Sequence, residues 1–139
     1  MSTPFGRSQT PANAYRMVGV ETGVVTGSPH QLVAMLFQGL MDSVAQARGA
    51  MAQGNVEAKG KAIGRAVRII EEGLKAGLDA KAGGQLAADL RDLYDYVTLR
   101  LTQANLRNDA KALEECRSLI EPLQSAWLSI AAQVGEASK

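Results

Sequence analysis

Several chemistries are short of the residues they need. Cys116 is the only cysteine, so no disulfide can close within the chain, and a reducing compartment suits it. His30 is the only histidine, and aromatic residues make up 4%, too few for a platform that stacks bases. Neither sign of charge dominates. Fifteen basic residues against fourteen acidic ones leave a net charge of +1, so nothing calls for nucleic acid or an anionic membrane surface. No apolar run approaches the ~20 residues that cross a bilayer, so no membrane insertion is expected. The N-terminal stretch is polar, carries Pro4, Gly6 and Pro11, and has no apolar signal-peptide core. A cytoplasmic protein is the expectation.

The active-site inventory is equally thin. A di-iron bundle needs inward carboxylates and Glu-x-x-His pairs, and the single histidine cannot supply them. A phosphotransfer histidine belongs mid-helix and exposed, whereas His30 follows Pro29 at a helix start. Ser28 beside His30 is local capping geometry rather than a triad. Gly83-Gly84 lacks the spacing and the following Lys-Ser/Thr of a phosphate loop. No catalytic residue, metal site or cofactor is expected, and the chain does not read as an enzyme.

What the chain has in quantity is helical periodicity. Length fits one domain. Residues 1–12 read as disordered, being polar, proline-containing and aperiodic. Residues 13–27 form an apolar but glycine-broken arm, with Tyr15, Met17 and Val18 interrupted by Gly19, Gly23 and Gly27. Such an arm can dock without being locked; the alternative is an arm permanently docked to complete the core. Ser28-Pro29-His30-Gln31 starts the first helix: serine at the N-cap, proline at the first helical position. That helix runs to about Ala52 on a stripe of Val33, Leu36, Phe37, Leu40, Val44, Ala47 and Met51. Leu32, Met35 and Met41 widen the stripe beyond what one neighbour would cover.

Gln53-Gly54 ends this helix and Asn55 caps a second, from about Val56 to Leu78. Its expected stripe is Val56, Ile63, Val67, Ile70, Leu74 and Leu78, with Lys59, Lys61, Arg65, Arg68 and Lys75 on the rest. Gly60, Gly64, Gly73 and Gly77 each cost about 0.8–1 kcal/mol against alanine in an exposed helix, and close backbone packing is the expected reason. A turn at Asp79–Gly83 precedes the third helix, Gly84 to Asn105, with Leu86, Leu90, Leu93, Val97, Leu101 and Ala104 on one face. Arg107-Asn108-Asp109 makes a capped reversal. The fourth helix runs from about Ala110 to Gln133 on Leu113, Cys116, Ile120, Leu123, Trp127 and Ile130. Cys116 therefore reads as a small buried group. Pro122 should bend this helix and free the carbonyl of Ser118. The last residues, 135–139, read as frayed. Short turns make neighbours antiparallel, so the expected fold is an all-α, up-down-up-down four-helix bundle over residues 28–134 with a flexible N-terminal arm.

Several stretches, in order, resemble the FliS family of flagellin-specific export chaperones. They are Asn13-Ala14-Tyr15-Arg16-Met17, Ser28-Pro29-His30-Gln31-Leu32 with Met35-Leu36-Phe37, Ile69 to Asp79, Gly83-Gly84-Gln85-Leu86-Ala87 through Tyr96, Ala104 to Asp109, and Ala126-Trp127. The departures are modest: Asp89 stands where asparagine is usual, and Phe37 where tyrosine is frequent. The resemblance implies a non-catalytic chaperone that wraps the disordered C-terminal segment of flagellin. It would prevent premature polymerisation and present the client to the export gate. It further implies an arm that covers an apolar groove until the client displaces it, with Tyr15 touching the export-gate protein FlhA.

The residues themselves nominate contacts. Tyr15 and Met17 are apolar groups on a breakable segment. Leu32, Met35, Leu99 and Leu106 lie at or beyond the margins of the stripes, where the core gives little reason for them to be apolar. Leu93, Tyr94, Val97, Leu101 and Trp127 read as core. The competing reading is a structural or adaptor bundle whose surplus apolar surface makes an oligomer interface, such as a weak homodimer.

Overall fold

A computed structural model describes residues 28–78 and 80–137, with side chains described for 28–78 and 83–130. The stretch 1–12, the arm 13–27 with Tyr15 and Met17, and the last two residues of 135–139 lie outside the described residues. Four helical elements follow one another: α1 (Pro29–Ala52), α2 (Val56–Arg68) continued by a π-helical segment (Ile69–Leu74), α3 (Ala80–Arg107) and α4 (Ala110–Ala137).

The ends are set by local chemistry. Ser28 Oγ accepts the N–H of Gln31 at 3.3 Å, and Pro29 opens α1. Gly54 closes the same helix at φ +72°, and the N–H of Asn55 bonds back to the carbonyl of Ala50 at 2.9 Å. This is the six-to-one closure that a left-handed residue after a helix permits. Asn55 then accepts the N–H of Ala58 at 3.0 Å to start α2. The reversal after α3 repeats the scheme. Asn108 takes φ +55°, Asp109 N–H reaches the Ala104 carbonyl at 3.1 Å, and the Asp109 carboxylate accepts from Lys111 and Ala112 N–H.

Cross-helix contacts give the topology. Arg65, late in α2, donates to the Gly39 carbonyl at 3.0 Å and to Ser43 Oγ, in the middle of α1. Lys59, early in α2, reaches the Asn105 carbonyl and Asn108, at the end of α3. Arg100 and Tyr96 in α3 meet Glu115 in α4. Arg48, late in α1, pairs with Glu114, early in α4, and Trp127, late in α4, bonds to His30, early in α1. Each consecutive pair is antiparallel and α4 closes back on α1, as the short turns predict. The core between them holds Leu36, Leu40, Val44, Ile63, Ile69, Ile70, Val97, Leu101, Leu113, Cys116 and Ile120, all buried.

Four expectations are corrected. The second helix is not α-helical to Leu78. It passes into the π segment at Ile69, with Lys75 N–H bonded to the Ile70 carbonyl at 2.7 Å. The stripe expected in its first half holds at Ile63 and, half-buried, at Val67, but not at Val56, which is 71% exposed; Lys59, Ala62 and Ala66 are buried beside it. Lys59 belongs to the interior because its ammonium caps the carbonyl end of α3.

Gly60 and Gly64 are not sites of close backbone approach, since a Cβ at either would meet nothing within 4 Å. The tight crossing lies on α1 instead. A Cβ at Gly39 would stand 3.2 Å from Ile69 Cδ1. Leu86, placed on the core face of α3, is 66% exposed. A break at Gly84 (φ +54°, ψ −129°) separates the Ala80–Gly83 turn from the body of the helix, and Leu86 lies in the first turn after it. Helix α4 continues through the exposed Pro122 and on to Ala137.

Candidate functional site

One end of the bundle is incompletely filled. Around Gly84 the third helix begins again, α2 ends in its π segment, and α4 continues past Pro122. The result is a cleft of about 340 Å³ walled by all four helices. Val33 and Phe37 come from α1, and Gly73, Leu74, Gly77 and Leu78 from the end of α2. Leu86, Leu90 and Tyr94 come from α3, and Leu123, Ala126, Trp127 and Ile130 from α4. None of these carries a charge. The cleft can offer apolar area and shape, and little orientation through polar groups.

Its polar margin is built on Trp127. The indole N–H donates to the His30 carbonyl at 2.9 Å, satisfying the one donor this ring must place when partly buried. The His30 ring stacks on the indole at 5.1 Å between centroids. Gln124 Nε2 donates to Gln38 Oε1 at 3.2 Å beside it. These contacts tie the N-terminal half of α1 to α4 at the edge of the cleft. Burial pushes the Tyr94 hydroxyl up to about 12, so it stays a neutral phenol against the apolar wall.

A second apolar feature runs along α3. Leu99 is 52% exposed and Leu106 78%. Seven residues apart, they lie on one face two turns from each other. Tyr96, three residues before Leu99, joins that face, with its hydroxyl donating to Glu115 at 2.6 Å.

Among the nominated contacts that lie within the described residues, Leu99 and Leu106 are exposed. Leu32 and Met35 are half-buried on α1, with Met35 packed against the core. None of these four borders the cleft. The cleft residues escaped sequence reasoning because they follow the same three-and-four spacing as the core. Whether such a position is covered depends on where the neighbouring helix stops. The available signal was the Gly73-Leu74/Gly77-Leu78 pairing, where apolar residues alternate with positions that have no side chain.

Among the described residues no group of three or more His, Cys, Asp or Glu could hold a metal. Burial pushes the Cys116 thiol up to about 12, which leaves it protonated and poorly nucleophilic at neutral pH. No helix among the described residues is long and apolar enough to cross a membrane.

Comparison with known proteins gives the surface a context. A family model described as "Flagellar protein FliS" matches residues 11–134. The chain is similar to the flagellar secretion chaperone FliS of Salmonella typhimurium, at 50% identity over 84% of this chain and 87% of the relative. The Escherichia coli chaperone of the same description is 41% identical over 82% of this chain and 84% of its own length. That of Bacillus subtilis is 31% identical over 86% and 84% respectively.

Proposed function

The chain belongs to the FliS family of flagellar secretion chaperones, and from that premise we propose that its client is the C-terminal segment of flagellin. In this reading the bundle holds that segment in the cytoplasm, prevents its polymerisation, and delivers it to the export-gate protein FlhA. The observation that carries the reading is the uncharged cleft at the end of the bundle, walled by all four helices. An apolar trough with few polar anchors suits a segment that must be held along its length and then released. No bond is made or broken in such a task, and the protein acts without catalysis.

The arm completes the proposal. Residues 13–27 immediately precede Ser28, and α1 begins beside Trp127 at the cleft margin. Tyr15 and Met17 would shield apolar surface until the client displaces them, and Tyr15 would then be free to touch FlhA. Leu32 and Met35 on α1, with Leu99 and Leu106 on α3, would extend the track beyond the cleft.

Calorimetric titration with the C-terminal segment of flagellin from the same organism tests this directly. One-to-one binding with a negative heat-capacity change is expected, because apolar surface is buried as the segment folds. A folded bundle that gives no heat with a soluble segment would overturn the assignment of client. The exposed α3 face favours one competing reading, an adaptor bundle that associates with itself through Leu99 and Leu106. Concentration-dependent sedimentation without client binding would support it.

A further inference from the structure

The cleft has almost nothing polar to offer a client. Of the residues that wall it, Tyr94 and Trp127 are the two with a polar side-chain atom. The Trp127 N–H is already engaged by the His30 carbonyl at 2.9 Å. That leaves the Tyr94 hydroxyl.

Tyr94 is 4% exposed, and its hydroxyl makes no hydrogen bond among the described residues. A tyrosine so deeply placed usually finds a partner. Tyr96, two residues on, does so, donating to Glu115 at 2.6 Å. Among the described residues the sealed side-chain nitrogen or oxygen without a partner is His30 Nδ1. The Tyr94 oxygen is unpartnered without being sealed. What little of Tyr94 stays accessible therefore includes its oxygen, and Tyr94 lines the cleft.

The chemistry of that oxygen limits what can meet it. Burial pushes the hydroxyl up to about 12, so it keeps its proton at neutral pH and can donate. A carboxylate acceptor would be desolvated with no cation in the walls to offset the cost. An apolar group would strip the hydroxyl of water and leave it unpaired. A neutral carbonyl meets neither penalty.

We propose that the Tyr94 hydroxyl is the specificity-determining anchor of the cleft, donating a hydrogen bond to one neutral carbonyl of the bound segment. The anchor rests on the reading that the cleft receives the C-terminal segment of flagellin. Apolar contacts are non-directional, and the one hydrogen bond fixes the register of a segment they would let slide. The carbonyl has two sources. One is an asparagine or glutamine side chain. The other is the backbone in the last turn of a client helix, where carbonyls lack intrahelical partners.

Tyr94→Phe is the main test, since it removes the hydroxyl and keeps the ring. Nothing in the free bundle is bonded to that hydroxyl, so the melting temperature should hold or rise. The variant should bind the flagellin segment about tenfold more weakly, the scale of one neutral hydrogen bond. A lower melting temperature would show a hydroxyl already bonded within the bundle and overturns the anchor. Equal or tighter binding overturns it too, while leaving flagellin as the client. A folded wild-type protein that binds no segment removes the client and the anchor together.

A second measurement needs no variant. The Cζ resonance of Tyr94 responds to hydrogen bonding at the hydroxyl, and it should shift when the segment is added to ring-labelled wild-type protein. An unmoved resonance under saturating segment overturns the proposal. Apolar replacements in the segment, leucine for asparagine and methionine for glutamine one at a time, separate the two sources. A side-chain acceptor gives one replacement that weakens wild-type binding about tenfold and costs nothing further in Tyr94→Phe. A backbone acceptor gives no such replacement, while the loss in Tyr94→Phe remains.

Discussion

Two residues on α2 show how the same helix can carry opposite costs. Lys59 is 6% exposed, and its ammonium donates to the Asn105 carbonyl at 3.0 Å and to Asn108 at 2.9 Å. It supplies a positive charge where the last carbonyls of α3 gather. Lys59→Met keeps the apolar stem but strands both acceptors. A loss of about 2 kcal/mol is expected, the range for hydrogen bonds to charged groups, read as a shift in the urea midpoint at constant slope. Gly64 is the reverse. It sits in an exposed stretch of α-helix with open space where a Cβ would go. Gly64→Ala should stabilise by about 0.8–1 kcal/mol, and a lower melting temperature would show that the position meets something unseen. Neither role was legible in the sequence. A lysine among lysines reads as solvated, and a glycine in a helix reads as a packing contact. Only the neighbouring helix decides.

Between elements, the seam of α3 and α4 is where pH acts. Glu115 accepts from Tyr96 at 2.6 Å and from Arg100 at 2.7 Å. Those two hydrogen bonds, Tyr96's first, hold its carboxyl below the ordinary 4.5. Glu114 is held down by Arg117 in the same way. A carboxyl whose folded value is lowered binds fewer protons than the unfolded chain, so it stabilises above about pH 4.5 and loses that contribution as pH falls through its folded value. Melting temperature should therefore fall below pH 4.5, and Glu115→Gln should flatten part of that fall while changing little at alkaline pH. An identical acid limb in the variant would assign the loss to other carboxyls. The elements this seam joins were largely visible in advance. Ser28, Asn55 and Asp109 cap where the sequence places caps, and Gly54 and Asn108 turn where turns are needed, because capping is local chemistry among residues three apart. The π segment was not visible. Ile63, Ile70 and Leu74, all buried, fall seven and four residues apart on one ordinary α-helical stripe, so nothing in the spacing marks it.

For the molecule as a whole, the outstanding matter is which apolar surface does the work. The bundle and its antiparallel order follow from periodicity and short turns. The cleft does not, because it exists only where α2, α3 and α4 cease to cover one another. The sequence nominated Leu99 and Leu106 on the ground that the core had no use for them, and both are exposed. That leaves two uses for the α3 face: an extension of the client's track, or contact with a second copy. Replacing both leucines by aspartate distinguishes these uses. Their exposure means that folding gains little from them, so the melting temperature should change only slightly. If the face belongs to the client's track, the variant should stay monomeric and bind the flagellin segment more weakly, with a smaller heat-capacity change because less apolar area is buried. If it belongs to a second copy, sedimentation at high concentration should show wild-type dimers that the variant lacks, while binding of the segment is unchanged. Aspartate rather than alanine makes the choice sharp, since a carboxylate forced against an apolar partner must be desolvated without compensation.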